Sequence, residues 1–103
     1  MKGFLHIVYF WLKHPDSEED RAALIAGLET LKAVPTIKDL HIGVPAATEA
    51  REVLDNSFDV SEVMVFEDMD GHNVYQTHPL HKQFVDECGH LWAKVLVRDS
   101  IDV

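Results

Sequence analysis

The stretch YQTHPLH, from Tyr75 to His81, sets a phenol and two imidazoles around one proline. A neutral imidazole titrates close to neutrality and can remove an acidic proton beside a carbonyl. A phenol held nearby can donate a hydrogen bond to the oxygen that becomes negative. His81 is thus the candidate base and Tyr75 the candidate hydroxyl donor. Phe84, Val85 and Cys88 follow His81 at helical spacing, on a stripe that should face a core. The bland alternative is a satisfied core histidine that locks the helix start onto its neighbours. His78 precedes Pro79, which pushes it out of helical geometry and suits it to cap the free amides of the first turn.

Those groups need elements to hold them. Phe4 to Leu12 (FLHIVYFWL) is rich in aromatic and β-branched residues and predicts a strand, with His6 inside it. Its apolar residues occupy both parities, so both faces must be covered. Capping pairs Asp16/Glu19 or Ser17/Asp20 open a helix in which Leu24, Leu28 and Leu31 recur, and Pro35 ends it. Gly27 in that helix points to a close approach. Ile37 to Val44 predicts a strand, Pro45 to Ser57 a surface loop, and Asp59 to Phe66 a third strand. A short helix capped by Asp70 carries His72 to Thr77, and a second runs from Pro79 to Glu87, stopped by Gly89. Trp92 to Ile101 alternates as a final strand.

The order strand–helix–strand–strand–helix–strand in a single domain spanning 1–103 predicts an α+β, ferredoxin-like fold with a four-stranded antiparallel sheet. Two helices cover one sheet face only. Leu5, Ile7, Tyr9 and Trp11 on the other face call for a second copy of the chain, so a homodimer through the open sheet face is expected. That topology is expected to set the start of the first strand beside the end of the fourth, near Asp99, and beside the start of the third, near Glu62. His6, His81, Tyr75, Asp99 and Glu62 can then converge between helices and sheet. Buried polar groups need partners, so the five should bond one another or surround a pocket. Val8, Phe10, Phe84, Trp92, Val95 and Val97 would line it, with Glu62 and Asp99 as polar contacts to substrate.

The net charge of −9 disfavours nucleic acid and anionic membranes as partners. One cysteine, Cys88, cannot form an internal disulfide, and no apolar run is long enough to span a bilayer, which fits a cytoplasmic protein. His6, His81, Glu62 and Asp99 are acceptable metal ligand types, yet no HExxH or paired CxxC spacing supports a metal, and none is expected. His14, His41, His72 and His90 fall at surface or strand-end positions and are expected to be inert. Cys88 reads as a small hydrophobe, and Gly71 and Gly89 form no phosphate loop.

DNSFDVSEVMVFED, YQTHPLHKQF and VLVRDS, with LHIVYFWLK, AVPTIKDLHIG and the HPxH motif, occur in an order that resembles the stress-responsive α/β-barrel (Dabb) family. The resemblance covers nearly the whole chain. It implies a dimeric α/β-barrel, two ferredoxin-like sheets facing each other. A plant polyketide cyclase of that family performs an aldol cyclisation without metal or organic cofactor. By that resemblance His81 is the base, Tyr75 its partner, His6 the first-strand histidine and Asp99 the acid ending the last strand. That enzyme's second pocket tyrosine is replaced by Gly27 here, and a third-strand valine by Glu62. The expectation is a cofactor-independent cyclase or lyase acting on a small hydrophobic carbonyl compound. A non-catalytic stress-response or ligand-binding dimer is the alternative, and cofactor-free oxygenation follows from fold analogy only. A pocket for a ligand of about ten carbons beside His81 and Tyr75 would favour the enzyme.

Overall fold

Alternation on the first strand is resolved in the computed structural model of the protein, which describes residues 2–103. Strand β1 (Phe4–Leu12) buries Phe4, His6, Val8, Phe10 and Leu12 under helices, while Leu5, Ile7, Tyr9 and Trp11 stay half-buried on the opposite face. Helix α1 (Glu18–Thr30) starts at Ser17, whose hydroxyl accepts from the Asp20 amide at 3.1 Å. Leu24 and Leu28 are its buried stripe, and Leu31 follows in a short 3-10 turn before Pro35. Strands β2 (Ile37–Gly43) and β3 (Val60–Phe66) then form an antiparallel pair, joined by the loop that contains residues 45–57.

Helix α2 (Met69–Thr77) is capped by Asp68, whose carboxylate accepts from the Gly71 amide at 2.9 Å. The expected cap, Asp70, lies instead in the first turn, where its charge favours the helix dipole. Helix α3 (Pro79–Cys88) opens as expected: the Leu80 amide donates to Nδ1 of His78 at 3.1 Å, and Pro79 takes the first helical position. Gly89 ends it with right-handed backbone and leads through a 3-10 turn into β4 (Trp92–Ile101).

The sheet order is β2-β3-β1-β4, all antiparallel, with the helices on one face. This is the ferredoxin-like arrangement. Register sets His6 opposite Asp99, as the topology predicted. It corrects the third strand: the start of β1 pairs with the end of β3, Phe4 with Phe66, and Glu62 lies opposite Val8. Antiparallel neighbours run in opposite senses, so the two strand starts cannot be adjacent. Gly27 marks the point where α1 meets α3, since a Cβ there would collide with the Cys88 sulfur and press on the Phe84 ring. Leu24, Leu28, Phe66 and Met64 make the core between the layers. Among the described residues no helix is long and apolar enough to cross a membrane.

Candidate active site

A cavity of about 160 Å³ lies where β1 and β4 face α2 and α3. Alternate residues of β1 supply His6, Val8 and Phe10, because a strand turns every second side chain to one face. Val95 and Val97 come from β4 at register positions opposite Phe10 and Val8, with Trp92 at the strand start. Helix α2 contributes Tyr75 and Gln76; α3 contributes His81, Phe84 and Val85. Glu62 enters from β3. Cavities of about 150 Å³ hold benzene, so this one suits a single-ring ligand, smaller than the ten-carbon guest the sequence suggested.

The polar groups form a chain of contacts. His6 donates from Nδ1 to Asp99 Oδ1 at 2.6 Å. An ionised carboxylate only accepts, so this bond fixes the proton on Nδ1 and leaves Nε2 unprotonated in the neutral ring. Burial pushes the His6 pKa below the ordinary histidine value, with Asp99 opposing the shift. The Tyr75 ring stands edge-on to His81 at 4.7 Å and to His6 at 5.8 Å, between centroids. Burial, aided by Glu62, pushes the Tyr75 phenol upward, so it keeps its proton and remains a donor. Burial lowers the His81 pKa, and His6 and His72 add to the shift. His81 is therefore a neutral imidazole at pH 7, the form a base requires.

All the expected site residues except Asp99 line the cavity. Asp99 reaches it only through His6, as a positioning residue on the partly exposed strand end. Gln76 and Val85 add to the lining beyond the expected set. His72 is not the inert surface residue the sequence suggested. Its ring stacks on Phe4 at 4.4 Å, and Nε2 lies 4.0 Å from Asp99 Oδ2, behind the His6–Asp99 pair. Its spacing of three from Tyr75 on α2, which puts both on one helical face, was the available signal.

Glu62 is buried, with 1% of its surface exposed, and its carboxyl is pushed up to about 8 by desolvation. It is therefore mostly neutral at pH 7. In the unfolded chain the same group ionises near its ordinary value of 4.5, so folding takes up a proton between the two values. Stability is then fullest below pH 4.5 and declines as pH rises toward 8. At pH 7 the penalty is on the order of 3 kcal/mol. Glu62→Gln, which cannot ionise, should gain melting temperature over the wild type at pH 8 and lose that gain at pH 4. Parallel melting curves across this range would exclude a raised carboxyl.

A ferredoxin-like sheet with an apolar cavity under its helices, lined by imidazole, phenol and carboxyl groups, defines the class of protein. The chain matches the stress responsive A/B barrel domain family over residues 4–102. It belongs to that family. A stress-response A/B barrel domain-containing protein of Arabidopsis thaliana is 32% identical over 83 residues, covering 80% of this chain and 70% of the relative. Among solved structures, the hydroxynitrile lyase of Passiflora edulis superposes with a TM-score of 0.81 at 20% identity, over 98% of this chain and 94% of its own. A dimeric ferredoxin-like protein of unknown function from Thermobifida fusca gives 0.77 at 22% identity, over 96% and 90%. These likenesses show the fold.

Proposed function

We propose that the protein is a homodimeric, cofactor-independent enzyme that enolises a small hydrophobic carbonyl compound, as a step of aldol-type cyclisation or a related lyase reaction. One observation carries the reading: the His81 and Tyr75 rings meet, 4.7 Å apart between centroids, on the wall of one apolar cavity. His81 takes the proton from the carbon beside the carbonyl. Tyr75 donates its hydroxyl hydrogen bond to the oxygen as charge develops there. His6, held in one tautomer by Asp99, fixes the orientation of the bound compound. The apolar residues of β1 and β4 supply the affinity for its hydrocarbon part. The Passiflora edulis neighbour, a hydroxynitrile lyase by name, shows that the fold can carry lyase chemistry, though by a different bond cleavage.

The half-buried residues of the open sheet face support the dimer, and the Thermobifida fusca neighbour is described as dimeric. The cavity lies on the helix side, so each subunit would hold its own site.

The test is a turnover screen of single-ring ketones and aldehydes bearing an acidic α-hydrogen, followed by Tyr75→Phe on any substrate found. Losing one oxyanion donor should lower kcat by about 10²-fold, within the range such donors supply, with KM little changed. The rate of the wild type should hold as pH falls past 6.5 and drop only below the lowered His81 pKa. A Tyr75→Phe protein with full kcat, or a rate that falls already above pH 6.5, would contradict the assignment.

A further inference from the structure

The acid in the cavity wall remains unused by the base and phenol alone. Glu62 is nearly fully buried, yet no hydrogen bond among the described residues engages its carboxyl, whose shift has desolvation as its one cause. Its oxygens are not sealed against an apolar wall either, because no fully enclosed side-chain oxygen or nitrogen among the described residues lacks a partner. They open on the cavity, beside Tyr75. A carboxyl in that position costs stability through desolvation, a cost an apolar side chain would not carry.

We propose that Glu62 is a neutral carboxylic acid that donates its proton to the substrate oxygen together with Tyr75, so that the ligand is a carbonyl compound whose oxygen accepts two hydrogen bonds. This deepens the enolisation reading and rests on it. The groups that face Glu62 are His6 from β1, bonded to Asp99 of β4; Tyr75 from α2; and His81 from α3. No lysine or arginine lines the cavity to draw the carboxyl into its ionised form. Two titratable groups are thus driven apart: His81 is held unprotonated, and Glu62 is held protonated. Such a separation assigns base and acid.

The proton inventory closes. The α C–H bond breaks toward His81, its electron pair forms the C=C bond, and the carbonyl π pair moves to oxygen. That oxygen takes the Glu62 proton while Tyr75 keeps its own. The products are a neutral enol, an imidazolium and a carboxylate. The two charges cancel, and return of one proton from His81 to Glu62, directly or through the next intermediate, resets the site. A ligand lacking an acceptor oxygen leaves the Glu62 proton unpaired and is rejected for it.

Two measurements on the full chain test this, neither requiring turnover. Carbon-13 NMR of the carboxyls, with Glu62 assigned by its absence in Glu62→Gln, should give a titration midpoint near 8; a midpoint in the ordinary carboxylate range overturns the proposal. Calorimetric binding of acetophenone, a neutral single-ring ketone, should weaken about tenfold between pH 7 and pH 9 as the acid ionises around 8. Glu62→Gln should remove that pH dependence, and Glu62→Val should lose acetophenone while gaining ethylbenzene. Acetophenone that does not bind, or that binds the wild type and Glu62→Val alike, overturns the donor role. If acetophenone binds as expected but no substrate turns over, Glu62 remains a hydrogen-bond donor to the carbonyl ligand, while the proton transfer falls with the enzyme reading.

Discussion

His81→Ala should lose about two to four orders of magnitude in turnover while melting close to the wild type. The size follows from the role. In the proposed step only the proton-accepting group loses its whole contribution when deleted, whereas Tyr75 would share the oxygen with a second donor. The unchanged stability follows from position. His81 is half-buried at the third position of α3, the one backbone bond of its ring is to Gln76 in the last turn of α2, and alanine is the better helix former. Its edge contact with Tyr75 is lost, but the vacated space joins a cavity that already exists. His6→Ala should behave in the opposite way. His6 is 4% exposed and holds Asp99, so its removal strips a buried partner from the sheet and lowers the melting temperature. Turnover that survives His81→Ala but not a folded His6→Gln would move the base to the first strand. Turnover that survives both would remove the proposed chemistry altogether.

The placement of those residues was legible in the sequence to the extent that strand and helix periods fix facing. Alternation in FLHIVYFWL put His6 with Val8 and Phe10, and the HPxH spacing put His81 with Phe84, on faces that the fold brings together. The register of His6 with Asp99 followed from topology, because adjacent antiparallel strands pair start with end. The same rule, applied to the third strand, would have put Glu62 opposite Val8 rather than near the start of β1. Asp68 and Asp70 are chemically equivalent caps two residues apart, and only the backbone shows that Asp68 is the extended one. His72 was illegible as a partner because a histidine between polar neighbours looks solvated until Phe4 is seen beneath it. The volume of the cavity depends on how α2 and α3 lean on the sheet, which no local pattern encodes.

The burial that pushes the Glu62 carboxyl up marks where composition misleads. Eighteen acidic residues against nine basic ones suggest a carboxylate wherever an acid stands. Inside the helix-covered layer the wall is valine, phenylalanine and tryptophan, and the local medium rather than the net charge decides ionisation. Acids on the outside, such as those crowding the first turn of α1, remain solvated and serve the helix dipole.

Replacing Ile7 by Glu should convert the proposed dimer to a monomer, read by light scattering, with a lower melting temperature and retained circular dichroism. Ile7 lies at the middle of β1, itself a central strand, on the face without helices, with Leu5, Tyr9 and Trp11 alongside. Full burial of such side chains contributes about 1.5–3 kcal/mol each, against which association costs several kcal/mol. A twofold interface presents each substitution twice, so one change would bury two carboxylates near each other without partners. That penalty exceeds what the remaining apolar contacts can offset. The helix-side core is untouched by the change, because Ile7 and His6 point to opposite faces, and the fold should persist with a less tightly held β1. A wild type that sediments as a monomer, or an Ile7→Glu protein that remains a dimer, would show that the open face is covered in some other way.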